Sequence, residues 1–348
     1  MDCSVYSEWQ AVIAIGSLVT LREQAGADAP PFRIVRLVSC NAGDGGVHER
    51  TRMYGDELRV SPAIGDPYPD EPVRGFVFPT LNKPYAIHEW LFNSSSGAAL
   101  RDNDEVVIVD TDFLFLRLPT FGASALGRPA GSRFYYLGGA WLTDANSAVR
   151  RFCSDKCGNV STAFVEENYD VGPPYYVRAR DLRLIAPRWW NMTHEMVRAA
   201  NPKVAWSAPG GWLADMYAYS MAALEHDLPH TLLRDQMVYV TDHVLLANGS
   251  QPTVLHFCQN YNYSGVVVFG KHDWHKASLL DCAKIADDPL HFFRRHPFEP
   301  PPWLLADEPV RISLARAHDG DLARLRWFLW NIRRGFEQQL TRWASLNC

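Results

Sequence analysis

The segment from residue 104 to residue 117 reads Asp104-Glu105-Val106-Val107-Ile108-Val109-Asp110-Thr111-Asp112-Phe113-Leu114-Phe115-Leu116-Arg117. Its unbroken run of β-branched residues predicts a strand that is buried on both faces, as in a parallel sheet. The run stops at Asp110, and a second carboxylate, Asp112, follows two positions later. Open α/β sheets bind ligands at the carboxyl ends of their strands, so the two carboxylates stand where a ligand site is expected.

The chemistry of this pair indicates a cation. Two carboxylates at close range cannot both stay ionised unless a positive charge lies between them. A hard divalent ion that also carries a phosphate ligand would satisfy both. We therefore interpret Asp110 and Asp112 as a metal and diphosphate site. The alternative is that they are ordinary turn formers or helix caps at the end of a strand.

Composition limits the class of protein. The chain has 348 residues, of which 47% are hydrophobic, so it can bury a large core. The net charge of -5 does not favour a nucleic-acid surface, and we expect no nucleic-acid partner. The seven cysteines lack zinc-ribbon spacing, and Cys153 with Cys157 is the first candidate for a disulfide. Five Asn-x-Ser/Thr sequons favour the secretory pathway; they stand at Asn93, Asn159, Asn191, Asn248 and Asn262.

Helical and extended patterns alternate along most of the chain. Residues 6–20 and 82–91 predict helices, whereas residues 33–39 and 253–257 predict strands, the last of which contains His256. This alternation indicates an α/β fold in which helices flank a mostly parallel sheet.

Two further helices carry predictions about organisation. Residues 179–185 predict a short helix that Pro187 ends. Apolar residues recur at helical spacing over 321–343, after a proline-rich linker that begins at Glu299. We therefore divide the chain into a main domain, residues 1–298, and a carboxyl-terminal helical extension, residues 299–348.

Several motifs occur in an order that resembles one family. The order is similar to that of the plant and algal hydroxyproline O-arabinosyltransferases and the related peptidyl serine α-galactosyltransferases, from about residue 5 to about residue 280. The segment from Trp212 to Tyr219 is the most specific of the motifs and the lone Asp-x-Asp the least. The motifs are Tyr6-Ser7-Glu8-Trp9-Gln10, Asn82-Lys83-Pro84, Asp110-Thr111-Asp112, Ile185-Ala186-Pro187, Gly211-Trp212-Leu213-Ala214-Asp215-Met216-Tyr217-Ala218-Tyr219 and His256-Phe257.

The resemblance implies a GT-A type glycosyltransferase with a nucleotide-binding sheet, a divalent metal (manganese in the first instance) and a UDP-sugar donor. It implies transfer to a peptide hydroxyl with retention at the anomeric carbon, by a protein of the secretory pathway. We expect the full-length protein to be anchored in the Golgi membrane, by an anchor that this chain does not include. The sequences of the motifs resemble those of the arabinosyltransferases more closely. This favours L-arabinofuranose as the transferred sugar and peptidyl hydroxyproline as the acceptor. Transfer of galactose from UDP-galactose to peptidyl serine is the alternative. A non-catalytic protein that binds proline-rich peptides is the alternative from another class.

The resemblance, together with side-chain chemistry, assigns the site residues. Asp110 and Asp112 would hold the metal, and His256 would complete its coordination, because manganese accepts imidazole. Lys271 would reach the β-phosphate and Lys83 would contact the donor. The simpler alternatives are a hydrogen-bonded core histidine and two solvated lysines.

Asp215 stands where the family usually has Glu. We assign it to sugar or acceptor hydroxyls, or to stabilising the oxocarbenium-like charge, without a covalent nucleophile. An aromatic set is predicted to line an acceptor groove, with core packing as the alternative for at least half of its members. The set is Trp189, Trp190, Trp206, Trp212, Tyr217 and Tyr219.

The resemblance also implies a strand ahead of the helix that begins at Tyr6, with the end of that strand helping to hold the uridine. Met1 lies only a few residues before this helix. We therefore expect either a trimmed sequence or a replacement segment. If nothing replaces the strand, we expect weak UDP binding.

Overall fold

The structure is a computed structural model. It describes residues 4–40, 55–62, 81–134, 137–199, 209–233, 236–238, 252–258, 260–263, 266–271, 279–289, 291 and 320–348.

Eleven strands lie within these ranges. They are β1 (Val35–Cys40), β2 (Glu57–Pro62), β3 (Glu105–Ile108), β4 (Phe113–Phe115), β5 (Ala130–Arg133), β6 (Val171–Arg178), β7 (Thr231–Leu233), β8 (Met237–Val238), β9 (Val254–His256), β10 (Asn260–Tyr263) and β11 (Val266–Gly270).

The α-helices of the described residues alternate with the strands. They are α1 (Val5–Ala25), α2 (Asn82–Asn93), α3 (Ser95–Ala98), α4 (Ala140–Thr143), α5 (Asp155–Gly158), α6 (Thr162–Asn168), α7 (Ala179–Arg198), α8 (Ala214–Glu225), α9 (Cys282–Asp287) and α10 (Gly320–Asn347).

The strands form mixed sheets. One sheet has the order β3-β6-β5-β7, a second has the order β4-β9-β8, and the pairs β1-β2 and β10-β11 stand as two-stranded sheets. The β1-β2, β5-β7 and β8-β9 pairings are parallel, and the other four pairings of the described residues are antiparallel. The prediction of an α/β fold is confirmed, but the described sheets are not mostly parallel.

The segment 104–117 differs from its prediction in a way that matters for the site. It forms two short strands in different sheets, β3 and β4, and residues 109–112 connect them. β3 pairs antiparallel with β6, and only Ile108 of its four residues is buried. The prediction of a parallel strand buried on both faces was therefore wrong. An apolar run predicts a strand next to the core, but it specifies neither full burial nor the partner strand.

Helix α1 anchors the core. It begins where Ser4 accepts a hydrogen bond from the backbone N–H of Ser7, and it ends at Gly26, which has a positive φ of 54°. Trp9 in its second turn is fully buried and stacks on Phe257 at 5.9 Å between ring centroids. The predicted carboxyl-terminal helix is present as α10, and its Phe336 packs on the same two rings. The predicted linker at Glu299 lies outside the described residues.

The prediction that Pro187 ends a helix was wrong, because α7 runs through it to Arg198. An interior proline costs about 3 kcal/mol through a lost hydrogen bond and a steric clash. The apolar face of α7 offsets that cost by packing against α8. The fully buried members of this face are Leu182, Ile185, Ala186, Trp189, Met192, Met196 and Val197.

Two disulfides lie in the described residues. Cys153 is bonded to Cys157, as predicted, and Cys282 joins α9 to the carboxyl-terminal Cys348. Within the described ranges, none of the helices combines the length and the apolar character that a membrane crossing requires.

Candidate active site

The connection between β3 and β4 forms the centre of the site, because it carries both predicted carboxylates. β4 pairs antiparallel with β9 and places His256 opposite Phe113. The backbone N–H of Phe257 donates to the carbonyl of Asp112 at 3.0 Å. Main-chain pairing thus brings the histidine of one strand beside the carboxylate that precedes the other.

Asp112 is the acceptor for two cations. Nε2 of His256 lies 3.1 Å from Oδ2 of Asp112, and Nζ of Lys271 lies 2.5 Å from the same oxygen. Lys271 follows the end of β11, and Asp112 is only 8% exposed. The structure therefore brings three predicted residues from distant parts of the chain into one contact group.

Asp110 belongs to a second group. Nζ of Lys83 lies 2.7 Å from Oδ1 of Asp110 and 2.9 Å from Oδ2 of Asp215. Asp215 is 3% exposed. The remaining three predicted residues therefore also meet, and the connection 109–112 links the two groups.

Local structure explains where Lys83 and Asp215 point. Lys83 is the second residue of α2, and Asp215 is the second residue of α8. A left-handed turn at Gly210 precedes α8, with φ of 82°. A Cβ at this position would lie 2.7 Å from the ring of Tyr217, so only glycine fits the turn. The fully buried indole of Trp189 donates to the backbone carbonyl of Asp215 at 2.7 Å and fixes the start of the helix.

Burial and charge pairing act against each other at Asp112. Burial alone would raise the pKa of Asp112, but Lys271 and His256 hold it well below its usual value. Burial alone would lower the pKa of His256, but Asp112 raises it to about 10. Burial would likewise lower the pKa of Lys271, and Asp112 raises it. The Asp112 group is therefore a carboxylate held between two cations.

The second group, formed by Lys83, Asp110 and Asp215, contains one cation and two carboxylates. Burial alone would lower the pKa of Lys83, but Asp110 and Asp215 raise it. Burial raises the pKa of Asp215, Lys83 opposes that rise, and Asp110 adds to it. One ammonium thus pairs with two carboxylates, and burial together with the charge of Asp110 leaves the pKa of Asp215 above its usual value.

The donor set fits a divalent metal in part. Asp112 and His256 supply a carboxylate and an imidazole in direct contact, which are ligand types that manganese accepts. Within the described ranges, no three or more His, Cys, Asp or Glu side chains are arranged to hold a metal ion. Asp110, the third predicted ligand, pairs with Lys83 instead. The metal therefore stays a prediction.

Two residues of the site were not predicted. The Tyr6 side chain contacts Lys271. Burial raises the pKa of Tyr6, and the nearby negative charge of Asp112 adds to that rise. Cys258 forms no disulfide, and its side chain contacts that of His256. Tyr6 is the first residue of the motif 6–10, and Cys258 directly follows the motif His256-Phe257. These positions were the only signal in the sequence that could have indicated them.

The members of the predicted aromatic set differ in exposure. Trp189, Tyr217 and Tyr219 are buried in the core, which agrees with the alternative of core packing for at least half of the set. Trp212 is 57% exposed and lies three residues before Asp215. Trp190 is partly buried against Tyr85. Trp206 lies outside the described residues.

Comparison with known proteins agrees with the motifs. A profile of the hydroxyproline O-arabinosyltransferase family N-terminal domain matches residues 1–232. The chain belongs to the hydroxyproline O-arabinosyltransferase family.

Characterised relatives include both branches that the motifs indicated. A peptidyl serine alpha-galactosyltransferase of Arabidopsis thaliana is 26% identical over 298 residues, which is 83% of this chain and 33% of the relative. Hydroxyproline O-arabinosyltransferase RDN1 of Medicago truncatula is 25% identical over 77% of this chain and 66% of the relative. Hydroxyproline O-arabinosyltransferase NOD3 of Pisum sativum is 24% identical over 77% of this chain and 71% of the relative. The chain thus spans one third of the first relative and about two thirds of the next two.

Among solved structures, the apo form of the bifunctional glycosyltransferase WbbM superposes with a TM-score of 0.40 at 13% identity, over 85% of this chain and 49% of that one.

Proposed function

We propose that the protein is a GT-A type glycosyltransferase that moves L-arabinofuranose from a UDP-sugar to the hydroxyl of peptidyl hydroxyproline, with retention at the anomeric carbon. One observation carries the proposal. In a chain of this family, two carboxylate–cation groups meet at the connection 109–112, and each contains a lysine. A sugar nucleotide presents a diphosphate, which needs cations, and a sugar, which needs hydrogen-bonding carboxylates.

The diphosphate would be held by the cationic side of the site. Lys271 and Lys83 supply the ammonium groups, and each is already oriented by a buried carboxylate. A divalent ion, manganese in our proposal, would be held by Asp110, Asp112 and His256 and would draw off the negative charge that develops on the departing UDP. His256 would have to give up its proton to act as a ligand, so we expect metal binding to release protons.

The transfer itself needs little from the protein. The bond between the anomeric carbon and the β-phosphate oxygen breaks, and the acceptor hydroxyl oxygen bonds to the anomeric carbon on the same face. The departing phosphate takes the proton of that hydroxyl, so no protein base is required. We assign Asp215 to the sugar, where its poorly stabilised negative charge would favour an oxocarbenium-like transition state.

The acceptor side of the proposal involves Trp212. This side chain is 57% exposed beside the start of α8, which carries Asp215. Extended proline-rich peptides dock on aromatic surfaces, and a hydroxyproline peptide has that conformation. We propose that Trp212 contacts the peptide. From the family membership we also propose that the full-length protein acts in the Golgi, within the secretory pathway, and is anchored in the membrane.

A second candidate is transfer of galactose to peptidyl serine. The match over 298 residues to a peptidyl serine alpha-galactosyltransferase favours it. The two candidates share the donor-site chemistry and differ in sugar and acceptor, so only product analysis separates them.

Thermal unfolding with millimolar manganese and UDP tests the donor site. We expect a higher melting temperature for the wild type and no change for Asp112→Asn, which removes the charge that orients Lys271 and His256. Asp102→Asn is the matched control, because Asp102 forms a surface pair with Arg183 and its side chain is 75% exposed. It should respond like the wild type. If wild type and control do not respond, the donor site is wrong and a non-catalytic peptide-binding protein is favoured.

A further inference from the structure

Three sequon asparagines have exposed side chains, namely Asn93, Asn159 and Asn191. They have no part in the proposed sugar transfer. An Asn-x-Ser/Thr motif is the acceptor for N-linked glycans in the secretory pathway, and the bulk of a glycan requires an asparagine at the surface. The surroundings of two of these three asparagines point to such a modification.

Asn93 lies at an exposed turn between two helices. It is the last residue of α2, and Ser94 follows in an extended conformation, with φ of -119° and ψ of 149°, before α3 begins at Ser95. Nδ2 of Asn93 donates to Oε2 of Glu89 at 2.9 Å on the surface. The amide nitrogen carries two N–H groups, so it can be linked to a sugar and still keep one N–H for Glu89. The linkage is therefore compatible with this hydrogen bond.

Asn159 lies at a second turn of the same kind. It is the C-cap residue of α5, and Ser161, the hydroxyl residue of its sequon, is the N-cap of α6. Oγ of Ser161 accepts from the backbone N–H of Phe164 at 3.2 Å. The side chain of Asn159 is exposed between the two helices. Each of the two sequons therefore spans a turn from one helix to the next at the surface.

An exposed phenylalanine accompanies each of these two turns. Phe92 directly precedes Asn93 and is 43% exposed, and Phe164 in the first turn of α6 is 41% exposed. Among the phenylalanines whose side chains the structure describes, only these two are exposed. An exposed aromatic ring forgoes the free energy that its burial would provide. The apolar face of a sugar ring packs well on an aromatic ring, so a glycan linked beside each phenylalanine would cover it.

Asn191 lacks this combination. Its sequon lies inside α7 rather than at a turn, and Thr193, its hydroxyl residue, is fully buried and donates to the carbonyl of Trp189. The neighbouring Trp190 packs against Tyr85 and is only partly exposed. The observations therefore single out the two turns.

Both turns lie away from the candidate active site. Asn93 ends α2, whose second residue is Lys83, so about 15 Å of helix separates the two. Near the second turn, Lys156 of α5 donates to the carbonyl of Glu225 at the end of α8 at 3.2 Å. Asp215 lies at the opposite end of α8. Glycans at these turns would therefore leave the site open.

We propose that Asn93 and Asn159 are the N-glycan acceptors of this chain and that the first sugar of each glycan packs on the neighbouring phenylalanine ring. In the reaction, Nδ2 of the asparagine bonds to the anomeric carbon of a lipid-diphosphate-linked oligosaccharide. The bond from that carbon to the diphosphate oxygen breaks, the lipid diphosphate leaves with the electron pair, and the amide nitrogen gives up one proton. This inference rests on the proposed location in the secretory pathway and not on the proposed sugar transfer.

The test secretes the full chain from a eukaryotic cell behind a cleavable signal peptide. Peptide N-glycosidase in water enriched in heavy oxygen converts each occupied asparagine to a labelled aspartate, and mass spectrometry locates the label. We expect the label at both Asn93 and Asn159. Ser95→Ala should remove the label at Asn93, and the matched Ser95→Thr should retain it. A wild type without label at either position overturns the proposal.

Sugar transfer to peptides is measured separately on the same secreted protein. Because the signal peptide supplies the location, missing label counts against the glycan acceptors alone. Missing transfer by a labelled protein counts against the proposed function alone.

A second arm tests the packing of the glycan on the ring. Phe92→Ser should lower the melting temperature of the glycosylated protein by about 1–2 °C more than that of the enzymatically deglycosylated protein, because only the glycan covers the ring. Phe164→Ser should do the same. Leu346→Ser is the matched control, since Leu346 is 52% exposed in the last turn of α10, and it should lower both melting temperatures equally. Equal losses in the two forms for either phenylalanine variant would overturn the proposed packing.

Discussion

The ammonium group of Lys83 lies 2.9 Å from the carboxylate of Asp215 and joins the first turn of α2 to the first turn of α8. The same ammonium contacts Asp110, so a single cation holds two carboxylates that would otherwise repel each other. This contact is what connects the Asp-x-Asp segment to the helix that carries the proposed sugar-binding carboxylate.

Lys83→Met should destabilise the fold by about 3 kcal/mol, because it leaves two carboxylates without their counter-charge. Urea unfolding measures the loss. Asp215→Asn in the same background removes one of the unpaired charges and should recover part of the stability. Lys284→Met is the matched control, since Lys284 forms an exposed pair with Asp281, and it should cost less than 1 kcal/mol. Equal unfolding midpoints for Lys83→Met and the control would contradict the contact.

Gly210→Ala tests the turn that positions Asp215. Alanine at a positive φ costs about 1 kcal/mol, and the added Cβ would also meet the ring of Tyr217 at 2.7 Å. Gly138→Ala separates the two effects, because Gly138 has φ of 65° and no atom within 4 Å of the added Cβ. We expect Gly210→Ala to cost about 1–3 kcal/mol more than Gly138→Ala in chemical denaturation. A smaller cost at Gly210 would mean that the turn is not as described.

Asp170→Asn should change the pH dependence of stability. Burial raises the pKa of Asp170 to about 7, Glu166 adds to the rise, and Arg133 opposes it. The unfolded chain releases this proton near pH 4, so the folded form binds more protons between about pH 4 and pH 7. The stability linked to this group is complete below about pH 4 and is lost as the pH rises through 7.

Asparagine cannot ionise, so Asp170→Asn should raise the melting temperature relative to wild type at pH 8.5 and much less at pH 5. Glu167→Gln is the control at an exposed neighbouring position and should show no such pH dependence. A difference between Asp170→Asn and wild type that is the same at both pH values would show that Asp170 is already ionised in the fold.

The proximity of some predicted site residues followed from the sequence, because each residue combines a family motif with a chemical reason; their roles stay predictions. Asp112, His256 and Lys271 were each assigned to the diphosphate or metal, and the structure places them in one contact group. The contact of Lys83 with Asp215 was not predictable. It depends on how two helices pack, and neither helix carries a local signal of the other.

The strand pairing was the weakest prediction, for a physical reason. The apolar run 106–109 predicts a strand next to the core, but it specifies neither how completely that strand is buried nor whether its partner is parallel or antiparallel. The prediction that Pro187 ends a helix was wrong for a related reason. The packing of α7 on α8 outweighs the local conformational preference of one proline.

The most direct test of the central claim is product analysis with purified protein and manganese. UDP-L-arabinofuranose and UDP-galactose are each offered with a hydroxyproline peptide and with a serine peptide, and mass spectrometry follows the peptides. We predict that arabinose is added to the hydroxyproline peptide and that Asp112→Asn abolishes the addition while Asp102→Asn retains it. Folded wild-type protein that modifies neither peptide with either donor would contradict the proposal that this site transfers a sugar.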